Sequence, residues 1–175
     1  MTVAGALDRL VPDLTAGGLV TPVLEAWVGA PVRAERVAAA LAPTTEVREW
    51  LRVGADAPIG CRRVRLLAGD VLLSEADNWF VPDRLTPAMR QMLAASDAPF
   101  GRVIAPLDPH RETLACIRLA GDPVLLIRAL VIGGDGGPLA LVEERYRQVI
   151  IASRTNTDGI LRMISVLNQD IFKHT

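Results

Sequence analysis

The feature that most limits what this chain can fold into is a period of two, broken at glycines. At Arg63-Val64-Arg65-Leu66 charged and apolar residues alternate, which places them on opposite faces of a strand. Cys61 to Ala68 and Val71 to Val81 flank the turn signal Ala68-Gly69-Asp70 and read as an antiparallel hairpin. Further on, Glu112 to Leu119, Val124 to Ile132 and Leu139 to Ile151 read as three more strands. Gly121-Asp122 joins the first two, and Gly133-Gly134-Asp135-Gly136-Gly137 joins the last two. Connections this short fit antiparallel neighbours. The glycine cluster is not a phosphate loop, since no Lys-Ser/Thr pair and no helix follows it.

Elsewhere the period lengthens. Leu7, Leu10, Val11 and Leu14 fall at helical spacing. After Gly17-Gly18 a short helix is predicted, with Thr21 as its N-cap, Pro22 as its first residue, and Leu24 and Trp27 facing inward. Pro31 to Leu41 reads as a strand and Thr45 to Leu51 as one or two helical turns. Leu85 to Ala95 carries the clearest helix signals: Thr86 as cap, Pro87 as first residue, and a stripe of Met89, Met92 and Leu93. Asp97-Ala98-Pro99 stops it, and another short helix opens near Phe100. Ile160, Leu161, Ile164, Leu167 and Ile171 form the stripe of a C-terminal helix. Together these elements predict a single α+β domain over residues 1–175, with an antiparallel sheet of five or six strands and helices packed on it.

Composition sets the outer limits. At 175 residues the chain is long enough to bury a core without disulfide or metal staples. With 19 basic and 20 acidic residues it offers no global field for nucleic acid or an anionic membrane. Every cation but Lys173 is arginine, as codon bias in a GC-rich genome would give. No apolar run approaches the ~18 residues needed to span a bilayer. The opening stretch carries Asp8 and Arg9, so it does not read as a signal peptide. The expectation is a cytoplasmic monomer or small homo-oligomer with reduced thiols.

No standard catalytic set stands out. The two cysteines, Cys61 and Cys116, have no CxxC or Cys/His cluster and make no zinc site; lying in strand patterns, they are expected to be buried and inert. His174 is terminal, His110 sits in a loop, and there is no GxSxG elbow. Three features remain. Arg63 and Arg65 share a strand face, which is either solvated or aims a guanidinium at a carboxylate. Ala98-Pro99-Phe100-Gly101-Arg102 is either a tight connection or a backbone anion site. Glu143 and Glu144 must face opposite ways, and one of them shares a face with Leu139 and Leu141. The pattern alone does not choose among these readings.

A resemblance does. Arg63-Val64-Arg65-Leu66-Leu67 leads through a glycine turn to Ala76-Asp77-Asn78-Trp79-Phe80-Val81-Pro82. Arg84-Leu85-Thr86-Pro87, Asp97-Ala98-Pro99-Phe100-Gly101-Arg102 and Gly137-Pro138-Leu139-Ala140-Leu141-Val142-Glu143 follow in order. This ordered set, with Leu19 to Glu25 upstream, resembles the chorismate pyruvate-lyase family over roughly residues 15 to 151. The resemblance implies a curved antiparallel sheet around a buried cavity, and an elimination of pyruvate from chorismate that leaves 4-hydroxybenzoate, with no cofactor and no metal. By the same resemblance Arg63 grips the ring carboxylate, the Phe100 amide with Gly101 beside it completes the anion site, and Glu143 contacts the hydroxyl end and assists proton movement. The expected partner is chorismate alone, without nucleic acid or membrane.

The chain departs from that family at Phe100, where relatives have leucine, and at Pro22, where relatives often have a basic residue. Arg111 to Val131 is more similar to the effector-binding (UTRA) domains of bacterial repressors, which share the fold and catalyse nothing. No DNA-binding helix-turn-helix precedes residue 15, so a complete repressor is not expected. The alternative readings are therefore a non-catalytic module binding an aromatic acid or other effector, and a related enzyme acting on another chorismate-derived acid.

Overall fold

The computed structural model describes residues 2–39 and 41–151. Helix α1 (Val3–Thr15) is capped by the Thr2 hydroxyl, which accepts from the Gly5 amide, and buries Ala6, Leu7, Leu10 and Leu14. Helix α2 (Val20–Val28) begins two residues before the expected Pro22 start and has Leu19, not Thr21, at its cap. Its Leu24 and Trp27 point inward as predicted, and Trp27 Nε1 donates to the Ile150 carbonyl at 2.8 Å. Strand β1 (Val32–Val37) and helix α3 (Thr45–Leu51) follow.

The first hairpin is β2 (Gly60–Ala68) and β3 (Val71–Phe80), turning at Gly69 with φ +56°. Helix α4 (Pro87–Ala95) has Thr86 as its cap, accepting from the Met89 amide. Met89 and Leu93 are buried, whereas Met92 is exposed, so the stripe is one residue narrower than expected. Helix α5 (Phe100–Ile104) precedes β4 (His110–Arg118), β5 (Leu125–Ile132) and β6 (Pro138–Tyr146). The final strand stops five residues short of the expected Ile151, and the predicted C-terminal helix lies outside the described residues.

All six strands form one antiparallel sheet in the order β1-β2-β3-β6-β5-β4, the α+β architecture expected. Its register fixes two faces. In one row Arg62 stands opposite Asn78 and Asn78 opposite Val142; in the next, Val64 faces Ala76 and Ala76 faces Glu144. These residues form the inner face. The opposite parity, with Arg63, Asp77, Glu143 and Arg128 in one row across β2, β3, β6 and β5, forms the outer face.

Two apolar clusters cover the inner face. At one end α1 and α2 pack on Leu66, Leu73, Leu125, Ile127 and Tyr146. At the other, α4 and α5 pack on Ala129, Val131, Ala140 and Val142. Helix α3 covers part of the outer face through Val47 and Leu51 on Leu130 and Leu141. Each fully buried leucine, isoleucine or valine among them contributes roughly 1.5–3 kcal/mol. Arginines tie the connections down. Arg62 donates to the Ala98 and Ser96 carbonyls, both at 2.8 Å, and Arg90 donates to those of Pro82 and Leu85.

A cavity between two helical layers

Where the two inner clusters meet, the sheet is left uncovered and a cavity of about 390 Å³ remains. Val64, Leu66, Ala76, Asn78, Val131, Val142 and Glu144 form its floor. The α1–α2 connection from Gly17 to Pro22 makes one wall, and Pro99, Phe100, Gly101 and Ile104 make the other. Gly101 permits a close approach: a Cβ there would lie 2.5 Å from Leu19 Cδ2, so the two walls touch at this point.

Apart from Asn78, the floor is apolar except for one buried cluster. Arg111 Nη2 donates to Glu144 Oε2 at 2.7 Å, with the two side chains only 11% and 9% exposed. The Tyr146 hydroxyl donates to the same oxygen at 2.9 Å. Burial, reinforced by the Glu144 carboxylate, pushes the Tyr146 hydroxyl well above the ordinary tyrosine range. For Arg111 the dominant effect of burial opposes the charge, but Glu144 more than offsets it and the guanidinium is held above its ordinary value. The Arg111 amide also donates to the Gly17 carbonyl at 3.1 Å, tying this cluster to the α1–α2 wall.

Of the residues singled out from the sequence, Phe100 and Gly101 line the cavity. Their amides precede the first bonds of α5, which run from Arg102 and Val103 to the Pro99 carbonyl. Arg63 and Glu143 do not reach the cavity; their strand parity places both on the outer face. There the Arg63 Nε and Nη2 grip Asp77 at 2.6 and 2.8 Å. Arg145 holds the other side of Asp77, whose carboxylate is 2% exposed, and lies 3.5 Å from Glu143. Arg128 bridges Glu143 and Glu46 at 2.9 and 2.7 Å. The hydrogen bond to Asp77 raises the Arg63 guanidinium above its usual value. This guanidinium already has its carboxylate. The expected set of Arg63, Phe100, Gly101 and Glu143 is therefore split between the two faces.

Glu144, which the strand pattern places on the opposite face from Glu143, is ion-paired on the cavity floor. Arg62, on the inner face, turns its Nη groups to the α4–α5 connection and is not among the lining residues. Burial, with repulsion from Arg36, pulls its guanidinium below the usual arginine value. Arg111 was not singled out from the sequence. It sits on an edge strand with few buried positions, so nothing local marked it. Cys61 and Cys116 are exposed, against the expectation of burial, because both fall near the margins of the sheet. Among the described residues no group of three or more His, Cys, Asp or Glu is arranged to hold a metal ion. No described helix is long and apolar enough to cross a membrane.

No known protein-family profile matches the chain. A protein of Sinorhizobium fredii described as uncharacterized protein y4mC is 36% identical over 127 residues, covering 67% of this chain. The chain spans about half, 53%, of the length of that curated relative. Among solved structures, the effector domain of PhnF from Mycobacterium smegmatis matches with a TM-score of 0.57 at 18% identity, over 75% of this chain and 89% of that one. The ligand-binding domain of a GntR-family regulator from Bordetella bronchiseptica matches with a TM-score of 0.53 at 14% identity, over 68% and 84%. The fold is that of GntR-family effector (UTRA) domains. At these identities the likeness speaks for architecture alone.

Proposed function

We propose that this chain is a ligand-binding domain that holds a small organic molecule in the cavity and performs no chemistry on it. The observation that carries this reading is the cavity itself: half-open between two helical layers, largely apolar, with a few buried polar groups converging on its floor. Such sites fix and orient a compact ligand. Among the described residues the lining holds no histidine and no cysteine. Its buried carboxylate, Glu144, already accepts from Arg111 and Tyr146 on one oxygen. The structural neighbours support the reading as domains described as effector- or ligand-binding.

Chorismate lyase is the second reading, carried by the ordered sequence resemblance. It asks Arg63 and Glu143 to meet the substrate, and both are engaged on the outer face. On the cavity floor the described guanidinium, Arg111, and carboxylate, Glu144, are already paired with each other.

One experiment separates these readings. Purified protein is screened against a fragment library by ligand-observed NMR, beside an Ala76→Phe variant whose added ring fills the cavity floor. The same protein is incubated with chorismate and the products are separated by chromatography. The binding reading expects hits that Ala76→Phe abolishes, and no 4-hydroxybenzoate above the buffer control. Catalytic formation of 4-hydroxybenzoate would reinstate the lyase. Hits indifferent to Ala76→Phe would remove the cavity as the site.

A further inference from the structure

The polar atoms of the cavity floor define what they can accept. Glu144 and Asn78 are both more than nine-tenths buried and both line the cavity. As diagonal neighbours on β6 and β3, their Cα atoms lie about 7–8 Å apart. Glu144 uses Oε2 for Arg111 and Tyr146, and its Oε1 accepts from no described residue. Asn78 donates weakly to the Arg62 carbonyl at 3.4 Å, and its Oδ1 accepts from no described residue. The Arg111 Nε and Nη1 donate to none. The floor thus presents two open acceptors and one open guanidinium edge, and the charge on that guanidinium is already balanced at 2.7 Å.

Arg102, Glu25 and Asp108 also line the cavity, so the described lining carries two arginines and three carboxylates. An organic anion entering this site would find one lining guanidinium without a described carboxylate partner, the exposed Arg102, but at the floor it would set its charge beside Glu144 and Asn78 Oδ1, where the Arg111 charge is already balanced. A cation would have to compete with Arg111 for Glu144. An ion buried without its own partner costs far more than a neutral group of the same shape. A hydroxyl or amide, by contrast, donates to the two acceptors and accepts from Arg111.

We propose that the ligand of this cavity is a compact, uncharged molecule bearing hydrogen-bond donors, of the alcohol or amide class, and not an organic anion. This rests on the binding reading above. The test uses four probes of one shape: 4-hydroxybenzyl alcohol, 4-hydroxybenzamide, 4-hydroxybenzylamine and 4-hydroxybenzoate. Their dissociation constants are measured by ligand-observed NMR on the wild type, on Glu144→Gln and on Asn78→Leu, with melting curves to confirm folding. The alcohol and amide are expected to bind about 10-fold or more tightly than the carboxylate, the expected sign of burying an unpaired ion. Asn78→Leu should weaken the two neutral probes, and Glu144→Gln, which exchanges a charged acceptor for a weaker neutral one, should weaken them too. If a variant fails to fold, the wild-type ranking decides alone. Tightest binding by 4-hydroxybenzoate overturns this inference and leaves the binding reading standing. Binding by none of the four, nor by any member of the fragment library, overturns both.

Discussion

Replacing Glu144 tests the cavity floor more sharply than replacing Glu143, although the two are adjacent. Glu144→Leu leaves the Arg111 guanidinium, 11% exposed, without its partner and orphans the buried Tyr146 hydroxyl. Breaking one side of a buried pair costs about 3–5 kcal/mol, and an unsatisfied buried hydroxyl about 1–3 kcal/mol more. Arg111→Met alone strands the carboxylate, at about 3–5 kcal/mol. The double variant Arg111→Met/Glu144→Leu has no unpaired charge left, only the orphaned hydroxyl, so it is expected to be more stable than either single variant. Adding Tyr146→Phe should bring stability close to wild type. Glu143→Leu removes a carboxylate whose partner Arg128 is part-exposed and keeps Glu46, so about 0–1 kcal/mol is expected. Urea unfolding followed by tryptophan fluorescence gives each value by linear extrapolation. Costs for Arg111→Met and Glu144→Leu that simply add, or a Glu144→Leu cost no larger than that of Glu143→Leu, would refute the buried-pair account.

Other outcomes follow from the same contacts. Arg63→Ala leaves Asp77 with Arg145 only and should lower stability by roughly 1–3 kcal/mol, while fragment affinities measured by NMR stay unchanged; a loss of binding would return Arg63 to the site. The Tyr146 hydroxyl is raised in the folded state, so its contribution is complete below the unfolded value near 10 and is lost as pH rises towards the folded value. Wild-type stability should therefore fall above about pH 10, and Tyr146→Phe should flatten that part of the profile in pH-dependent urea melts. Partial burial raises both thiols, so Cys61 and Cys116 should alkylate with iodoacetamide more slowly than free cysteine at pH 8, despite their exposure. Gly101→Val should push Leu19 off α5 and alter fragment affinity with little loss of stability, because the clashing atom is the end of a half-exposed side chain.

How far the sequence was readable depends on how local each determinant is. The β2–β3 hairpin, α3 and the Thr86-Pro87 start of α4 rest on caps, turns and alternation within a few residues, and they lie where those signals put them. The start of α2 was displaced because Pro22 is tolerated in any first-turn position, not only the first. On β6, residues 138–142 are buried on both faces, against α5 on one side and α3 on the other. A strand covered on both sides shows no alternation, so the apolar run could not say whether Glu143 or Glu144 faced inward.

The β2 strand did carry the answer. Val64 and Leu66 share one parity and are buried; Arg63 and Arg65 share the other and are part-exposed. A sheet with helices on one face buries its apolar parity there, so the inner position before Val64 is Arg62, not Arg63. Placing Arg63 inside would have turned Val64 and Leu66 outward with it. The same parity runs through the cross-strand register: once Val64 is inside, Ala76 and then Glu144 are fixed inside with it. One apolar alternation on β2 therefore determines the carboxylate on β6. The partner of that carboxylate lay beyond reach of pattern. Arg111 is 33 residues away on the edge strand, and the pairing exists only once β5 is laid between β4 and β6.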